Sequence, residues 1–424
     1  MKIDNLRRRV PVRACVTLCL AVELATPAAA TNGYIANGYG GGSKGMAGAG
    51  VAVPTGVLGL AQNPAMGNKI GNSAGFCLTT FAPDRGFTVD GAGGLQTGTQ
   101  KSKNDIFFIP CGGANFRLSD RAALGLFMFG NGGMNTEYDT NVFVPGYGPA
   151  GTAPLGVNLE QAFFSANLSY QVNDKLAVGF SPIYALQRFS ATGFENFTGF
   201  SADPANMTNN GDDWSSGFGF NLGVLYEPNA QWSFGAAYRS RMQMEEFDKY
   251  SGLFAEQGGF DVPAVATIGA AYRPPNTPRL TLTAGAQRIF YGDIKALANS
   301  STSLAAPFGA DDGPGFGWKD VDVLRVAAIY QANPRLTLRG GLSYATEFTD
   351  GENALLNIVA PATPQWHASV GASYKLDDHW GITASYTHAF ENSVRGTNPA
   401  LAPTQPVKIR MRQDELAIGM TYRW

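Results

Sequence analysis

The sequence predicts an all-β chain, a transmembrane antiparallel β-barrel of about fourteen strands preceded by a segment that is not itself a strand. Three observations predict it. Apolar and polar residues alternate with period two over stretches of roughly ten residues, the length a tilted membrane strand needs. Tight polar turns alternate with long loops along the chain. An export-type leader stands at the N-terminus, and after it no stretch has the roughly 18 unbroken apolar residues of a spanning helix.

The leader carries Lys2, Arg7, Arg8, Arg9 and Arg13, then an apolar run over residues 14–24, then Pro27-Ala-Ala-Ala30. This order of basic, apolar and small residues reads as a signal peptide over 1–30, cut before Thr31. The 424 residues hold 31 Lys/Arg and 33 Asp/Glu; removing 1–30 takes away five and two of these and leaves a net charge of -5. That balance gives no reason to expect a nucleic-acid partner. Charged residues make up 15% and the mean hydropathy is -0.09, which disfavours a helical membrane protein. Two cysteines remain after the leader, Cys77 and Cys111, in what would be an oxidising compartment. Both lie on the inward parity of the first two strands; a disulfide and two buried thiols remain alternatives, because a bond needs a close Cα approach that sequence does not supply.

The alternation is cleanest at 161–172, where Ala162, Phe164, Ala166, Leu168, Tyr170 and Val172 oppose Gln161, Ser165, Asn167, Ser169 and Gln171. It recurs at 335–344, 366–376 and 380–387, and about fourteen such segments can be counted. Turns fall at Ser119-Asp120, Asn173-Asp174, Pro228-Asn229, 274–278, Asn333-Pro334 and Asp377-Asp378, all rich in turn-forming residues. Long stretches near 86–104, 132–158, 193–213, 246–257, 292–317, 349–363 and 392–408 separate them. Short periplasmic turns and long outer loops are the arrangement of outer-membrane barrels in Gram-negative bacteria. Trp214, Tyr226, Trp232, Tyr238, Tyr272, Tyr330, Trp366, Trp380 and Trp424 sit near segment ends and read as interfacial girdles. The last strand puts Leu416, Ile418, Met420, Tyr422 and Trp424 on one face, and its aromatic end looks like the signal by which such barrels meet the barrel-assembly machinery.

Residues 31–75 hold 13 glycines and no sustained alternation. The stretch NGYGGGSKGMAGAGV at 37–51, followed by Gln62-Asn63-Pro64-Ala65, resembles the N-terminal hatch of the FadL family, outer-membrane transporters of long-chain fatty acids and aromatic hydrocarbons. The run from Phe129 through Gly130, Asn131, Gly132 and Gly133 to Tyr138 resembles that family's third strand and the loop after it; Asn131 stands where many relatives carry proline. The resemblance implies a hatch over 31–75, serving as a plug, and a transmembrane barrel over 76–424. It further implies capture of a hydrophobic small molecule by outer loops, a plug shift at Asn63, Pro64 and Ala65, and sideways exit into the membrane lipid at a kink over Gly130 to Gly133. It implies no cofactor. From the residues alone, Asn63-Pro64-Ala65 reads as a turn and the glycines at 130–133 as a bulge or a loop start.

Parity points Phe107, Ile109, Phe127, Phe129 and Phe163 inward, where a water-filled pore would favour polar side chains. Such a lining either takes up an apolar solute or packs against the plug, and the two are compatible. Arg239, Arg241, Arg325 and Arg339 also read as inward, as contacts for a carboxylate or partners of wall and plug acids.

Catalytic patterns fail. Gly40, Gly42 and Gly45 fit a dinucleotide spacing with no βαβ unit around them. His367, His379 and His388 are the only histidines, no G-x-S-x-G is present, and no metal-ligand spacing links them to the cysteines. The reading is therefore a channel for passive uptake of hydrophobic small molecules and not an enzyme. A general diffusion porin and, further off, a barrel lipid hydrolase built on His388 are the rivals.

Overall fold

The computed structural model describes residues 31–143, 154–303, 305–397 and 405–424, and the predicted signal segment lies outside them. Fourteen long antiparallel strands form the wall: β1 (Ser73–Val89), β2 (Phe107–Arg117), β3 (Ala122–Tyr138), β4 (Leu155–Asn173), β5 (Leu176–Thr192), β6 (Asp213–Tyr226) and β7 (Trp232–Arg239) make its first half. β8 (Val265–Tyr272), β9 (Leu280–Ile289), β10 (Val321–Gln331), β11 (Leu336–Ala345), β12 (Trp366–Lys375), β13 (Trp380–Thr397) and β14 (Pro406–Arg423) make the second. Each strand pairs with the next, and β14 returns to β1 from Arg423↔Ser73 to Val407↔Val89, so the sheet closes on itself.

Period two decides which face meets lipid. On β4, Phe164, Leu168 and Tyr170 are exposed while Ser165, Asn167 and Ser169 are buried. On β14, Leu416, Ile418 and Met420 face out against buried Glu415 and Ala417. A one-residue slip would reverse both faces, so the apolar belt fixes the register. Trp232, Trp380, Tyr330 and Trp424 are exposed at the short-turn end and Trp214, Tyr238 and Trp366 at the other, consistent with the two girdles.

Several ladders run further than the alternation predicts. β3 continues to Tyr138 through the presumed loop start, β1 reaches Val89, and the β13–β14 ladder ends only at Thr397↔Pro406. Past the lipid belt the apolar side is the inner one, with Phe87, Val89, Tyr138, Val157, Val394 and Val407 buried in one cluster, so the outward alternation stops while backbone pairing does not. Cys77 and Cys111 are opposite each other on β1 and β2, Cα atoms 5.0 Å apart, and are joined by a disulfide.

The leading segment lies inside the ring. Residues 32–53 and 57–61 are buried, and their bonds reach strands on all sides. Asn37 Nδ2 donates to Ser343 Oγ on β11 at 3.2 Å, and Lys44 Nζ meets Glu415 on β14 at 2.7 Å. Ser233 Oγ on β7 donates to the Ala52 carbonyl at 2.8 Å and Ser169 Oγ on β4 to that of Pro64 at 2.6 Å. Glycine makes this approach possible: a Cβ on Gly45 would stand 3.0 Å from the Gly371 Cα on β12.

Candidate functional site

The inward aromatics form one cluster against the leading segment. Phe127, Phe129 and Phe163 are buried; Phe129 stacks on Phe127 at 5.8 Å and meets Phe163 edge-on at 5.5 Å. Tyr39, from the glycine-rich stretch, lies edge-on to Phe129 at 4.6 Å. Phe107 and Ile109 are buried on β2, with Phe107 6.2 Å from Phe81 and under the Arg85 guanidinium at 5.4 Å. This cluster therefore packs against the leading segment, the second of the two compatible alternatives left by sequence.

The wall is interrupted beside this cluster. β2 and β3 pair from Arg117↔Ala123 only as far as Gly112↔Met128. Beyond that pair β2 continues on β1, from Cys77↔Cys111 to Phe81↔Phe107, and β3 continues on β4 to Tyr138↔Leu155. Among the described residues the two strands make no further ladder pair, so a window in the hydrogen-bond ladder lies between them. Its upper rim is set where Lys103 N donates to the Glu137 carbonyl at 2.9 Å and Glu137 N to Ser102 Oγ at 3.1 Å. Pro110 lies in the unpaired stretch of β2, where a missing amide donor is tolerated.

Gly130, Asn131, Gly132 and Gly133 are neither a loop start nor a break in β3. The register shifts by one residue between Gly130 and Gly132, so Asn131 is the extra residue of a bulge. Bulging turns Asn131 inward, fully buried, where its Nδ2 donates to Gln161 Oε1 at 2.9 Å. Its Oδ1 accepts from Tyr39 Oη at 3.0 Å and from Arg239 Nη1 at 2.8 Å. Ile35 of the leading segment bridges to Gly132 across the window side, and a Cβ on Gly132 would fall on the Tyr34 carbonyl.

Asn63-Pro64-Ala65 is a capped turn pinned to the short-turn end of the barrel. Asn63 Oδ1 accepts from Ala65 N at 3.0 Å, while its Nδ2 donates to the carbonyls of Val51 at 2.8 Å and Val224 at 3.0 Å. Gly179 on β5 and Gly223 on β6 leave the room for it; a Cβ on Gly179 would strike the Pro64 backbone.

Arg239 and Arg325 are buried and inward, and Arg339 is half-buried with Nη1 donating to Ser373 Oγ at 2.6 Å. Among the described residues none of the three has an acidic partner within ion-pair distance. Arg241 lies just past the end of β7 at Arg239 and takes the acid-paired alternative, meeting Asp261 at 2.6 Å. A buried ion pair is instead Lys44–Glu415, which sequence reading passed over although Lys44 is the single charge in residues 31–68. Removing one member of such a pair leaves the other buried and uncompensated, a loss of roughly 3 to 5 kcal/mol. Glu415→Ala is accordingly expected to loosen residues 38–50 and raise their amide hydrogen exchange; unchanged exchange would mean that the pair does not hold the segment.

At the long-loop end, Tyr34, Tyr291, Trp318 and Phe348 form a buried aromatic group, with Tyr291 Oη donating to the Asn32 carbonyl at 2.6 Å. Burial pushes both phenols well above their ordinary range, which keeps them neutral. A narrow apolar cavity lined by Phe189, Phe194, Leu253, Phe254 and Phe316 lies beside this group. His388, the residue of the hydrolase rival, shares the Asp414 carboxylate with Tyr386 on the outer face, its Nδ1 2.7 Å from Oδ1.

The family model described as outer membrane protein transport protein (OMPP1/FadL/TodX) matches residues 22–424. The 47 kDa outer membrane protein of Pasteurella multocida is 24% identical over 299 residues, covering 64% of this chain and 68% of its own. The long-chain fatty acid transport protein of Escherichia coli K12 is 22% identical over 323 residues, covering 66% and 69%. Among solved structures, the toluene transporter TodX of Pseudomonas putida superposes with a TM-score of 0.69 at 19% identity, covering 92% of this chain and 99% of its own.

Proposed function

The chain belongs to the OMPP1/FadL/TodX family of outer-membrane transport proteins, and from that premise we propose that it carries a hydrophobic small molecule, a long-chain fatty acid or an aromatic hydrocarbon, inward across the outer membrane. The outer loops capture the ligand, the Phe127, Phe129 and Phe163 cluster takes it up, and the leading segment acts as a plug. The ligand then leaves sideways into the membrane through the window between β2 and β3. The observation that carries the reading is the apolar cluster lying next to a place where the wall ladder stops short. A path through the window keeps an apolar solute out of water, because its exit opens on the lipid belt and not on the periplasm. No cofactor enters the cycle; the driving force is the ligand's own partitioning. Outward Tyr422 and Trp424 at the end of β14 are the face offered to the assembly machinery.

A general diffusion porin is the rival to separate. With residues 32–53 seated in the lumen, the protein is expected to hold a planar bilayer nearly closed to ions while cells that express it gain uptake of a labelled fatty acid or hydrocarbon. Steady porin-like conductance without hydrophobic uptake would refute the proposal.

A further inference from the structure

The outward column of β14 changes character above the lipid belt. Leu416 and Ile418 are exposed apolar residues, whereas Lys408, Arg410 and Arg412 take the outward positions between buried Val407, Ile409, Met411 and Gln413. Across the seam where the last strand meets the first, three cations converge on one carboxylate. Asp84 of β1 accepts from Arg412 Nε at 3.2 Å and Nη2 at 3.1 Å and from Arg410 Nη1 at 3.2 Å, and Lys101 Nζ lies 3.4 Å away. Arg410 also reaches Glu391 at 3.4 Å. Lys408 and Arg395 stand opposite each other on β14 and β13. Among the described residues neither has an acid within ion-pair distance. The third acid of the sector, Asp414, is already engaged by His388 and Tyr386.

Two other ion clusters on the outer rim are balanced the opposite way. Arg188 on β5 faces two carboxylates, Glu160 at 2.7 Å and Asp212 at 3.2 Å. Arg288 on β9 likewise faces Asp320 at 3.5 Å and Asp322 at 3.6 Å. The excess of positive charge on β13, β14 and the strand paired with β1 sets that sector apart from both. It stands at the long-loop end, with exposed Phe76, Leu78, Leu416 and Ile418 directly beneath it on β1 and β14.

We propose that this sector binds the phosphorylated headgroup of an outer-leaflet glycolipid, whose acyl chains run down over Leu416, Ile418, Leu78 and Phe76. Long loops face the outside in such barrels, so the cations lie at the level of the outer-leaflet headgroups. A phosphate monoester carries roughly -1.5 to -2 charges at neutral pH and three acceptor oxygens. It supplies Lys408 and Arg395 with the counter-charge they lack, and relieves the sharing of Asp84 among three cations through charge-assisted hydrogen bonds. The apolar surface below favours a lipid over free phosphate, because only a lipid has chains to lay on it. Bound there, the headgroup joins β14 to β1 and braces the closing seam of the barrel from its outer side.

The test is native mass spectrometry of the full-length mature protein in nonionic detergent, titrated with diphosphoryl lipid A and with the same lipid freed of both phosphates. The diphosphoryl form is expected to bind at least about tenfold more tightly. Lys408→Gln breaks no ion pair and should weaken its binding about fivefold, the equivalent of roughly 1 kcal/mol for one basic residue at an anionic lipid surface. Combined with Arg410→Gln and Arg412→Gln it should remove the preference for phosphate, with folding checked by heat-modifiable gel mobility. Arg288→Gln, from a cluster with two acids, is the control and should leave the preference unchanged. Equal binding of the two lipids overturns phosphate recognition, and so does unchanged affinity in Lys408→Gln. A preference that survives the triple variant, or that Arg288→Gln reduces as much, overturns the placement in this sector. Displacement of the lipid by an equal concentration of inorganic phosphate would reveal a free-anion site and overturn the lipid as its occupant.

Discussion

Phe127→Asp combined with Phe129→Asp is expected to abolish hydrophobic uptake while the barrel still folds. Phe129 is 2% exposed and has rings on three sides, from Phe127, Phe163 and Tyr39. Each aromatic pair lost is worth roughly 0.5 to 1.5 kcal/mol. An ionised carboxylate set among the remaining rings adds a desolvation cost of several kcal/mol against any apolar ligand that dehydrates it. Together these correspond to a fall in uptake of at least about a hundredfold. The wall ladder does not depend on the two side chains, so heat-modifiable mobility and extraction with the outer membrane should persist. Phe129→Leu keeps the site apolar and should retain most of the uptake. Undiminished uptake by the folded double aspartate variant would take this cluster off the ligand's path.

Deletion of Asn131 is expected to have an effect nearly as large by a different route. Asn131 is the residue that the ladder skips between Gly130↔Ala162 and Gly132↔Gln161. Removing it leaves the rest of the β3–β4 register and every inward and outward parity unchanged. A straight β3 can then follow β2 past Gly112↔Met128, which narrows the window. Uptake should be lost from a barrel whose outer loops and aromatic cluster are intact. Asn131→Ala serves as the companion variant, because it keeps the bulge and removes only the bonds to Tyr39, Gln161 and Arg239. If the deletion variant folds and transports as the parent does, the bulge has no part in exit.

Much of the wall was legible because it is built on a local rule. Alternation on β4, β11, β12 and β13 and the turn residues at 119–120, 173–174 and 377–378 each depend on neighbours in sequence, and they gave the strand number and the long and short connections. The inward parity of Phe107, Ile109, Phe127, Phe129 and Phe163 followed from the same rule. What sequence could not supply was contact across the lumen. Tyr39 meets Asn131 and Arg239 over separations of 92 and 200 residues, and Lys44 meets Glu415 over 371. No periodicity reports such pairs. The glycines at 130–133 signalled an irregularity but not its kind, since a bulge and a loop start share the same composition. Arg241 lies past the end of β7, where strand parity no longer fixes direction, and its acid partner Asp261 is a loop residue 20 positions on. Pro110 was the overlooked cue to the window, a proline in a strand that would otherwise read as paired on both sides.

The central claim is that a hydrophobic ligand occupies the barrel interior beside Phe127, Phe129 and Phe163, next to the gap in the wall. A crystal of the protein soaked with a terminally brominated fatty acid locates the ligand by the anomalous signal of bromine. The account expects a bromine peak within the aromatic cluster, on the lumen side of β3 and β4. Bromine confined to the lipid-facing belt, with the interior empty at saturating ligand, would contradict it.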